Sequence, residues 1–492
     1  MSKLYIHNSY CSLDNETDLT FISRLDQELS YRVQGAEYTR KFKGFYDRSG
    51  NFVKWDGRRR FLTNKLNIPR GLRERVIEFY EAHDKPLEII DCRPDKSPSQ
   101  KIDILPALKA VGKSPFPHQL VAVEAVKNHD QGIIRMPTGS GKTIVAAMIT
   151  AEFGKRTIIY VIGKDLLYQM HELFSSLFNQ KIGIIGDGQC EIADINIASV
   201  WTIGQAVGLK KNSIINDSVG DESQTDPQRY QDIRDLLKTA KVHLWDECHI
   251  SACSTIQEIG KKINPEHIYG MSASPWRDDN ADLLIECILG KYIVNISASE
   301  LIKGGYLVQP IIRFLNVPPP IEKLTRHYQS IYSKYVIENP ERNGMITLGT
   351  QKLVEQGYQT LVLFNNIKHG NILYDEISKK IPCILLNGND SAETRQDAKK
   401  KLECGEINCI IASRIFDIGV DLPSLSGLVV AGSGKSSVRA LQRIGRVIRK
   451  YPNKKQAVIL DFVDNVTFLK NHSKARKKIY SSEKGFIVEW PK

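Results

Sequence analysis

Short apolar runs that alternate with helical stretches are the feature that most constrains the fold. A first series comprises GIIRM (132–136), TIIYVI (157–162), INIASV (195–200), VHLW (242–245) and HIYGMSA (267–273). A second series comprises TLVLFN (360–365), CILLNG (383–388), NCIIAS (408–413), GLVVAG (427–432) and AVILDFV (457–463). Runs that are apolar throughout are typical of strands covered by helices on both faces. The pattern therefore predicts two consecutive doubly wound parallel α/β sheets.

A glycine- and proline-containing stretch separates the two series. Gly304, Gly305 and the triple proline at 318–320 indicate a connector near residues 303–320. A chain of 492 residues fits two or three domains. We therefore expect a small basic α+β N-terminal domain, a first sheet domain and a second sheet domain with a basic tail, at 1–100, 101–308 and 309–492.

The charge of the chain is unevenly distributed. The net charge is +12 and the pI about 9.1, which favours a polyanionic partner. Between Glu37 and Arg75 there are twelve Lys or Arg residues against four Asp or Glu residues. We expect the polar stretch 206–235 to be a mobile insertion and the tail KNHSKARKK (470–478) to be solvated.

Several protein classes are disfavoured by the sequence. The nine cysteines are scattered, and Cys248, His249 and Cys253 lack a second pair at zinc-site spacing. The N-terminus has no apolar signal region, and no stretch approaches membrane-spanning length. We expect a cytoplasmic monomer with free thiols.

The glycine-rich stretch MPTGSGKT lies between a predicted strand and a predicted helix, the context of a phosphate-binding loop. Gly139 and Gly141 would let successive N–H groups face phosphates, Lys142 would reach the β- and γ-phosphates, and Thr143 would ligate Mg²⁺. Met136 stands where the usual pattern has Gly or Ala, and its side chain is expected to face the sheet. The alternative is a glycine turn that merely precedes a lysine.

The stretch VHLWDECH ends an apolar run in two acids. In P-loop enzymes a second strand ends in an acid that holds Mg²⁺, so we expect Asp246 there and Glu247 beside the attacking water. A buried pair of acids without a cation would be costly. The alternative is a surface acidic pair that follows a core strand.

Residues 113–465 resemble the superfamily 2 helicases of the DExH kind. The resemblance rests on ordered motifs: FPHQ (116–119), the P-loop, VIGKDLLYQ (161–169), SVWTI (199–203), DECH, SAS (272–274), SRIFDIGVDLP (413–423) and QRIGRVIR (442–449). At Gly163 this family usually has proline. The resemblance implies two RecA-like domains that use ATP and Mg²⁺ to move along nucleic acid.

The resemblance also carries residue roles onto this sequence. It implies catalytic roles for Lys142, Asp246, Glu247, His249, Gln442, Arg446 and Arg449. It implies ATP contacts by Gln119, Pro137, Thr138, Gly139, Ser140, Gly141, Lys142, Thr143, Gly419 and Asp421, and Mg²⁺ ligation by Thr143 and Asp246. It implies nucleic-acid contacts by Lys164, Gln169, Thr202, Ser413 and Arg414, and coupling of hydrolysis to domain movement by Ser272 and Ser274.

The last motif has a physical interpretation of its own. In KSSVRALQRIGRVIRK, Gln442, Arg446 and Arg449 recur at helical spacing and are expected along one helix face. Arginine suits this place because its planar fork can clasp a γ-phosphate. The alternative is an exposed basic helix that contacts a nucleic-acid backbone.

The N-terminal stretch YTRKFKGFYDRSGNFVKWDGRRRFL (38–62) interleaves aromatic and basic residues. Such a mixture can bind phosphates with its charges and stack or wedge with its rings. The predicted nucleic-acid contacts are Arg40, Lys41, Lys43, Lys54, Trp55, Arg58, Arg59 and Arg60. The alternative is a small core of Phe42, Phe52 and Trp55 with solvated charges.

The WDGR turn, followed by the P-loop, DECH and QRIGRVIR, is similar to the phage UvsW-like recombination helicases. That resemblance implies branched or forked DNA as the partner, with branch migration of four-way junctions, fork regression and removal of D-loops or R-loops, which contain RNA–DNA hybrids. If the chain is phage-encoded, the resemblance also implies that the protein is located in the cytoplasm of the host cell. Two alternatives stay open: a double-stranded DNA translocase that does not separate strands, and an RNA helicase.

Overall fold

The computed structural model describes residues 1–491 with these gaps: 47, 48, 50, 210–226, 250–252, 274–281, 320–326, 389, 414–421, 433, 435 and 436. The chain forms two compact units. The first contains Met1–Met136 and Gly141–Asn295, and the second contains Pro137–Ser140 and Ile296–Lys492. In the described part of the chain, no helix has both the length and the apolar character needed to cross a membrane.

The first unit begins with a small α+β module, called here the N-terminal module (residues 2–91). Its elements are β1 (Ser2–Ile6), β2 (Tyr10–Asp14), α1 (Leu19–Glu28), β3 (Ser30–Arg32), α2 (Arg40–Lys43), β4 (Phe45–Tyr46), β5 (Phe52–Val53), β6 (Arg58–Arg60), β7 (Asn67–Pro69), α3 (Arg73–Glu81) and β8 (Leu87–Asp91). The main sheet has the order β7-β2-β1-β8, with β1 antiparallel to β2 and parallel to β8. Asp18 caps α1 by accepting a hydrogen bond from the N–H of Phe21, which satisfies a free helix donor.

The rest of the first unit is an eight-stranded sheet flanked by helices. Its elements are α4 (Leu105–Ala110), α5 (Pro117–Asn128), β9 (Gln131–Arg135), α6 (Lys142–Phe153), β10 (Thr157–Val161), α7 (Lys164–Leu177), β11 (Ile182–Gly186), β12 (Gln189–Glu191), β13 (Ile195–Ser199), α8 (Val200–Ala206), α9 (Pro227–Thr239), β14 (Val242–Asp246), α10 (Cys253–Gly260), β15 (His267–Ser272), α11 (Leu283–Leu289) and β16 (Tyr292–Asn295). The order is β12-β11-β13-β10-β14-β15-β9-β16, and every neighbouring pair is parallel except β11 and β12. Strands β10, β14 and β15 are buried along their whole length, as central strands of a doubly wound sheet must be.

The second unit holds a seven-stranded, fully parallel sheet. Its elements are α12 (Ala298–Lys303), β17 (Gln309–Val317), α13 (Tyr328–Tyr332), a π-helical turn (Ser333–Ile337), α14 (Pro340–Glu355), β18 (Thr360–Leu363), α15 (Ile367–Ile377), β19 (Cys383–Leu386), α16 (Ala392–Glu403), β20 (Cys409–Ala412), β21 (Gly427–Val430), α17 (Ser437–Val447), β22 (Gln456–Asp464), α18 (Thr467–Ser482) and β23 (Ile487–Glu489). The strand order is β19-β20-β18-β21-β22-β17-β23. The two parallel sheets confirm the predicted fold class.

Two local expectations are wrong, and a third is wrong only for the last part of its segment. The stretch read as a connector contains the nine-residue strand β17, which pairs with β22 along its whole length. The tail read as solvated forms α18, where Ser473 and Arg476 are buried against β22. Within 206–235, helix α9 begins at Pro227, while 210–226 lie outside the described residues.

The N-terminal module is fastened to the large sheet of its own unit by packing and by ion pairs. Leu283 and Leu284 of α11 belong to the same apolar core as Leu4 and Leu25 of the module. Arg75 of α3 binds Glu286 of α11 with two hydrogen bonds of 2.7 Å. Part of the basic surplus seen in the sequence therefore serves attachment.

A cluster of three arginines on one carboxylate adds to this attachment. Asp130 directly precedes β9, and its carboxylate accepts hydrogen bonds from Arg73 and Arg93 and forms an ion pair with Arg70. The Asp130 carboxylate is 7% exposed, and the Arg70 guanidinium is 3% exposed. Buried charges of this kind persist only when they are paired.

Candidate active site

The phosphate-binding loop has the local geometry that its sequence predicts. Gly139 and Gly141 have φ angles of +87° and +81°, a backbone conformation that favours glycine. Helix α6 begins at Lys142, directly after Gly141. Met136 is fully buried, and its N–H donates to the carbonyl of Ser272 over 3.0 Å. A large residue is tolerated at Met136 because it packs inside the sheet.

Lysine and acids meet at the carboxyl end of the sheet. The Nζ atom of Lys142 lies 3.8 Å from Oε1 of Glu247 and 3.5 Å from the carbonyl oxygen of Met136. Asp246 is the last residue of β14, and its carboxylate accepts a 3.0 Å hydrogen bond from the N–H of Glu247. Parallel sheets place their ligand sites at this edge.

Asp246 has an unusual pKa, and Glu247 has an unusual backbone conformation. Burial and the neighbouring Glu247 carboxylate raise the pKa of Asp246 well above its usual range, and the positive charge of Lys142 opposes this. Glu247 has a φ angle of +47°, which is uncommon for a residue with a side chain. Strained backbone and raised carboxyl pKa values are both typical of functional sites.

His249 connects these acids to the next strand. Its Nδ1 atom lies 2.6 Å from the Ser272 hydroxyl, which donates to Glu247 Oε2 over 3.3 Å. His249 is 6% exposed and Ser272 is fully buried. The predicted coupling residue Ser272 thus touches the predicted catalytic carboxylate, whereas Ser274 lies outside the described residues.

Gln119 packs against the P-loop. It is 2% exposed on α5, and its Oε1 atom accepts a 2.9 Å hydrogen bond from the N–H of Phe116. A Cβ atom at Gly141 would overlap the Gln119 amide group, so only glycine lets the two segments approach this closely. The predicted base-reading residue therefore lies beside the predicted phosphate-binding loop.

The second unit carries the arginine motif. Gln442 is buried on α17, while Arg446 and Arg449 are half-buried. The expectation of a single helix face is wrong for Arg449, because α17 ends at Val447 and Arg449 forms an antiparallel β-bridge with Leu307. Gly419, Asp421 and Arg414 of the preceding motif lie outside the described residues.

The predicted strand-contacting residues differ in accessibility. Lys164 begins α7 and forms an ion pair with Asp187, and Gln169 is exposed on the same helix. Thr202 is only 4% exposed on α8, so this conformation does not present it to a ligand. Ser413 follows β20, and its N–H donates to the carbonyl of Leu386.

The basic residues of the N-terminal module fall into two groups. Arg40, Lys41, Lys43 and Lys54 are exposed. The others have protein partners: Arg58 donates to Ser30 and Gln27, Arg59 to Gln257, and Arg60 to Asp26 and Asp56, while the Trp55 indole N–H donates to the Arg58 carbonyl. The first group is therefore better placed for a nucleic-acid ligand than the second.

The sequence motifs did not predict a role for two asparagines, Asn365 and Asn366, that follow β18. The Asn366 side chain caps α15 by accepting a hydrogen bond from the Lys368 N–H, and Asn365 lies 3.5 Å from the Arg443 guanidinium. The start of α15 thus meets the basic helix α17 at the carboxyl edge of the second sheet. The signal was the NN pair that directly follows the apolar run TLVLF.

Two family models match the chain. One is "Type III restriction enzyme, res subunit", over residues 112–277, and the other is "Helicase conserved C-terminal domain", over residues 345–451. The first match contains the P-loop and DECH, and the second contains the whole QRIGRVIR motif. Together with two parallel α/β sheets and the Lys142–Glu247 site, they identify the class. The chain belongs to the superfamily 2 helicases and is an ATP-hydrolysing enzyme.

Within this superfamily the chain is similar to the ATP-dependent DNA helicase UvsW of phage T4, with 24% identity over 97% of this chain and 93% of the relative. It is also similar to putative helicase 22 of a Sulfolobus islandicus filamentous virus, with 25% identity over 73% of this chain and 65% of the relative. Among solved structures, S. cerevisiae Dbp5 bound to RNA and ADP BeF3 shares the fold, with a TM-score of 0.53, 14% identity, and coverage of 78% of this chain and 92% of that one.

Proposed function

We propose that this chain is an ATP-dependent DNA helicase that remodels branched DNA. The activity would comprise branch migration of four-way junctions, regression of forks and removal of D-loops or R-loops. One observation supports this most strongly: the similarity to the DNA helicase UvsW extends over 97% of the chain, so it includes the N-terminal module. That module presents the exposed cations Arg40, Lys41, Lys43 and Lys54.

ATP hydrolysis would use the site at the end of β14. Lys142 would bind the β- and γ-phosphates, and Glu247 would orient and polarise the attacking water. Gln119 would read the adenine. His249 and Ser272 would hold Glu247, which they contact in the structure.

The same site suits a magnesium ion. Thr143 and Asp246 would hold it, since both offer the hard oxygen donors that Mg²⁺ prefers. The raised pKa of Asp246 shows a buried carboxyl whose charged form lacks stabilisation, and a divalent cation would supply it. When bound, Mg²⁺ supplies charge neutralisation at the phosphates.

The second sheet domain would complete the reaction. Arg446 and Arg449 would neutralise charge on the transferred phosphoryl group, with Gln442 beside them, and Gly419 and Asp421 would contact the nucleotide. We retain the predicted three-domain division at 1–100, 101–308 and 309–492, and a monomeric motor. Nucleotide-dependent closure of the two sheet domains would move the DNA stepwise.

The protein would bind the DNA strand through the phosphates of the DNA backbone. Lys164, Gln169 and Ser413 are the candidate contacts that the structure leaves at least partly accessible. Contacts of this kind carry little sequence information, and binding weakens steeply with salt.

The test is a Lys142→Ala variant assayed on a four-way junction, a continuous duplex, a single strand and matched RNA forms. We expect loss of ATP turnover and junction unwinding with junction affinity unchanged within about threefold, because phosphate contacts of the DNA dominate binding. Lys238→Ala, which removes a 66% exposed lysine of α9, is the matched control and should behave as the wild type. Stimulation of the wild-type ATPase by RNA alone would contradict the proposal.

A double-stranded DNA translocase is the second candidate. It is favoured by the match to the restriction-enzyme model and by a relative named "DNA 3'-5' translocase XPB2", with 24% identity over 71% of this chain. Such a motor would displace a triplex-forming strand without separating the duplex. Triplex displacement without junction unwinding would select it.

A further inference from the structure

Two aromatic side chains face solvent on the antiparallel pair β4–β5. Tyr46 and Phe52 lie directly opposite each other, and their ring centroids are 5.3 Å apart. They are 70% and 57% exposed, although the module around them has an apolar core of its own. Adjacent exposed rings of this size mark a binding surface.

The Phe52 ring is held in place from one side. Gly44 has a φ angle of +90°, and the Phe52 ring occupies the space that a Cβ atom at Gly44 would need. The Phe52 ring thus packs against the bare backbone of Gly44 while more than half of the residue stays exposed. A ring fixed in this way loses little entropy when a flat ligand stacks on it.

The charges on the neighbouring segment indicate the ligand. Arg40, Lys41 and Lys43 of α2 are exposed, and so is Lys54 at the end of β5. The two segments are joined, because the N–H of Trp55 donates to the carbonyl of Lys41 over 2.9 Å. The Arg40 guanidinium lies 4.8 Å from the centroid of the Phe45 ring. Open rings among cations suit a polyanion with flat apolar faces, which is a nucleic acid with exposed bases.

We propose that Tyr46 and Phe52 form a stacking platform for the DNA bases that become exposed where strands separate at a branch. This inference rests on the proposed function and adds the residues that would recognise the branch point. The cations would hold the flanking phosphates, while the rings would replace the stacking that a base loses when its pair opens.

The test compares a four-way junction carrying 2-aminopurine at the branch point with a continuous duplex of equal length. Tyr46→Ala/Phe52→Ala should weaken junction binding about tenfold or more, change duplex binding less than about twofold, and abolish the 2-aminopurine fluorescence rise. Tyr46→Phe/Phe52→Trp keeps both rings and should retain both signals. Because both rings are exposed, all variants should keep the wild-type melting temperature.

A charge variant separates stacking from phosphate binding. Lys41→Ala/Lys43→Ala should weaken junction and duplex alike and lower the slope of log affinity against log salt by about two. The alanine ring variant should leave that slope unchanged.

The results distinguish the platform from the proposed function. If the wild type prefers junctions and Tyr46→Ala/Phe52→Ala prefers them equally, the platform is wrong while the proposed function stands. If the wild type has no preference for junctions over duplex, the proposed function is wrong and the platform falls with it.

Discussion

Replacing Asp130 by asparagine should weaken the attachment of the N-terminal module to the large sheet of its unit. The Asp130 carboxylate accepts hydrogen bonds from Arg73 over 2.9 and 3.2 Å, and it forms an ion pair with Nη2 of Arg70 at 2.8 Å. Arg73 and Arg93 each have a second carboxylate partner, Glu74 and Asp91 respectively. The Arg70 guanidinium also donates to the backbone carbonyls of Asn8, Pro265 and Asp130.

The magnitude follows from burial. Arg70 is 3% exposed, and burial, followed by the positive charges of Arg93 and Arg73, already lowers its pKa to about 9. Breaking a buried pair by neutralising one partner costs about 3–5 kcal/mol. We expect Asp130→Asn at the lower end, about 3 kcal/mol, because the amide oxygen still accepts hydrogen bonds. For a unit of this size the melting temperature should fall by about 6 °C or more.

Calorimetry gives the melting temperature, and hydrogen exchange shows whether the N-terminal module opens first. The matched control is Asp91→Asn, since Asp91 is 51% exposed and its pair with Arg93 is worth about 0–1 kcal/mol. Adding Arg70→Met to Asp130→Asn should recover part of the loss, because it removes the unpaired buried charge. Equal melting temperatures for Asp130→Asn and Asp91→Asn would refute the reasoning.

Two further predictions concern the second unit. Burial and the charge of Arg449 lower the pKa of Lys454 to about 7, so between about pH 7 and 10 the unfolded chain binds a proton that the folded chain does not, and stability falls as pH decreases. Between pH 9 and pH 6, the melting temperature of Lys454→Met should rise relative to that of the wild type as pH decreases. A difference in melting temperature that does not change with pH would contradict the lowered pKa of Lys454. Arg342→Met should cost about 3–5 kcal/mol in urea unfolding, because Arg342 is fully buried and Asp464 1% exposed. The double variant Arg342→Met/Asp464→Asn should recover part of that loss, and no recovery would argue against the pair.

Most of the fold could be predicted because a central parallel strand leaves a strong trace in sequence. Strands such as β10 (TIIYV) and β14 (VHLWD) are rich in large apolar residues, and all five positions of each are buried. Strand β17 was missed because QPIIRFLNV alternates buried and less buried positions and stands next to a glycine pair and a proline run. The glycine and proline residues nearby indicated a loop. The strand forms because it pairs with β22, which lies far along the chain and leaves no local signal.

The part of the candidate site that lies in the first unit could also be predicted, because its functional residues stand at the ends of helices and strands. Lys142 begins α6, and Asp246 ends β14. The distance of 3.8 Å between Lys142 and Glu247 follows once β14 lies in the same sheet as β9, which leads into the P-loop. The hydrogen bond of His249 to Ser272 could not be predicted, since it depends on the register of β15 beside β14. Similarly, nothing local shows that α17 ends before Arg449.

The basic surplus of the N-terminal segment shows why charge counts alone do not locate a binding surface. Arg70, Arg73 and Arg75 lie within the segment of high positive charge, yet their partners include Asp130, which precedes β9, and Glu286 of α11. A cation that satisfies a buried carboxylate cannot also neutralise a phosphate without breaking that pair. The sequence cannot distinguish the two uses, because the acids lie far along the chain. Their hydrogen-bond partners distinguish them: Arg59 and Arg60 are exposed, but they donate to Gln257, Asp26 and Asp56. This moves the expected DNA contact from the arginine run at 58–60 toward α2 and the β4–β5 pair.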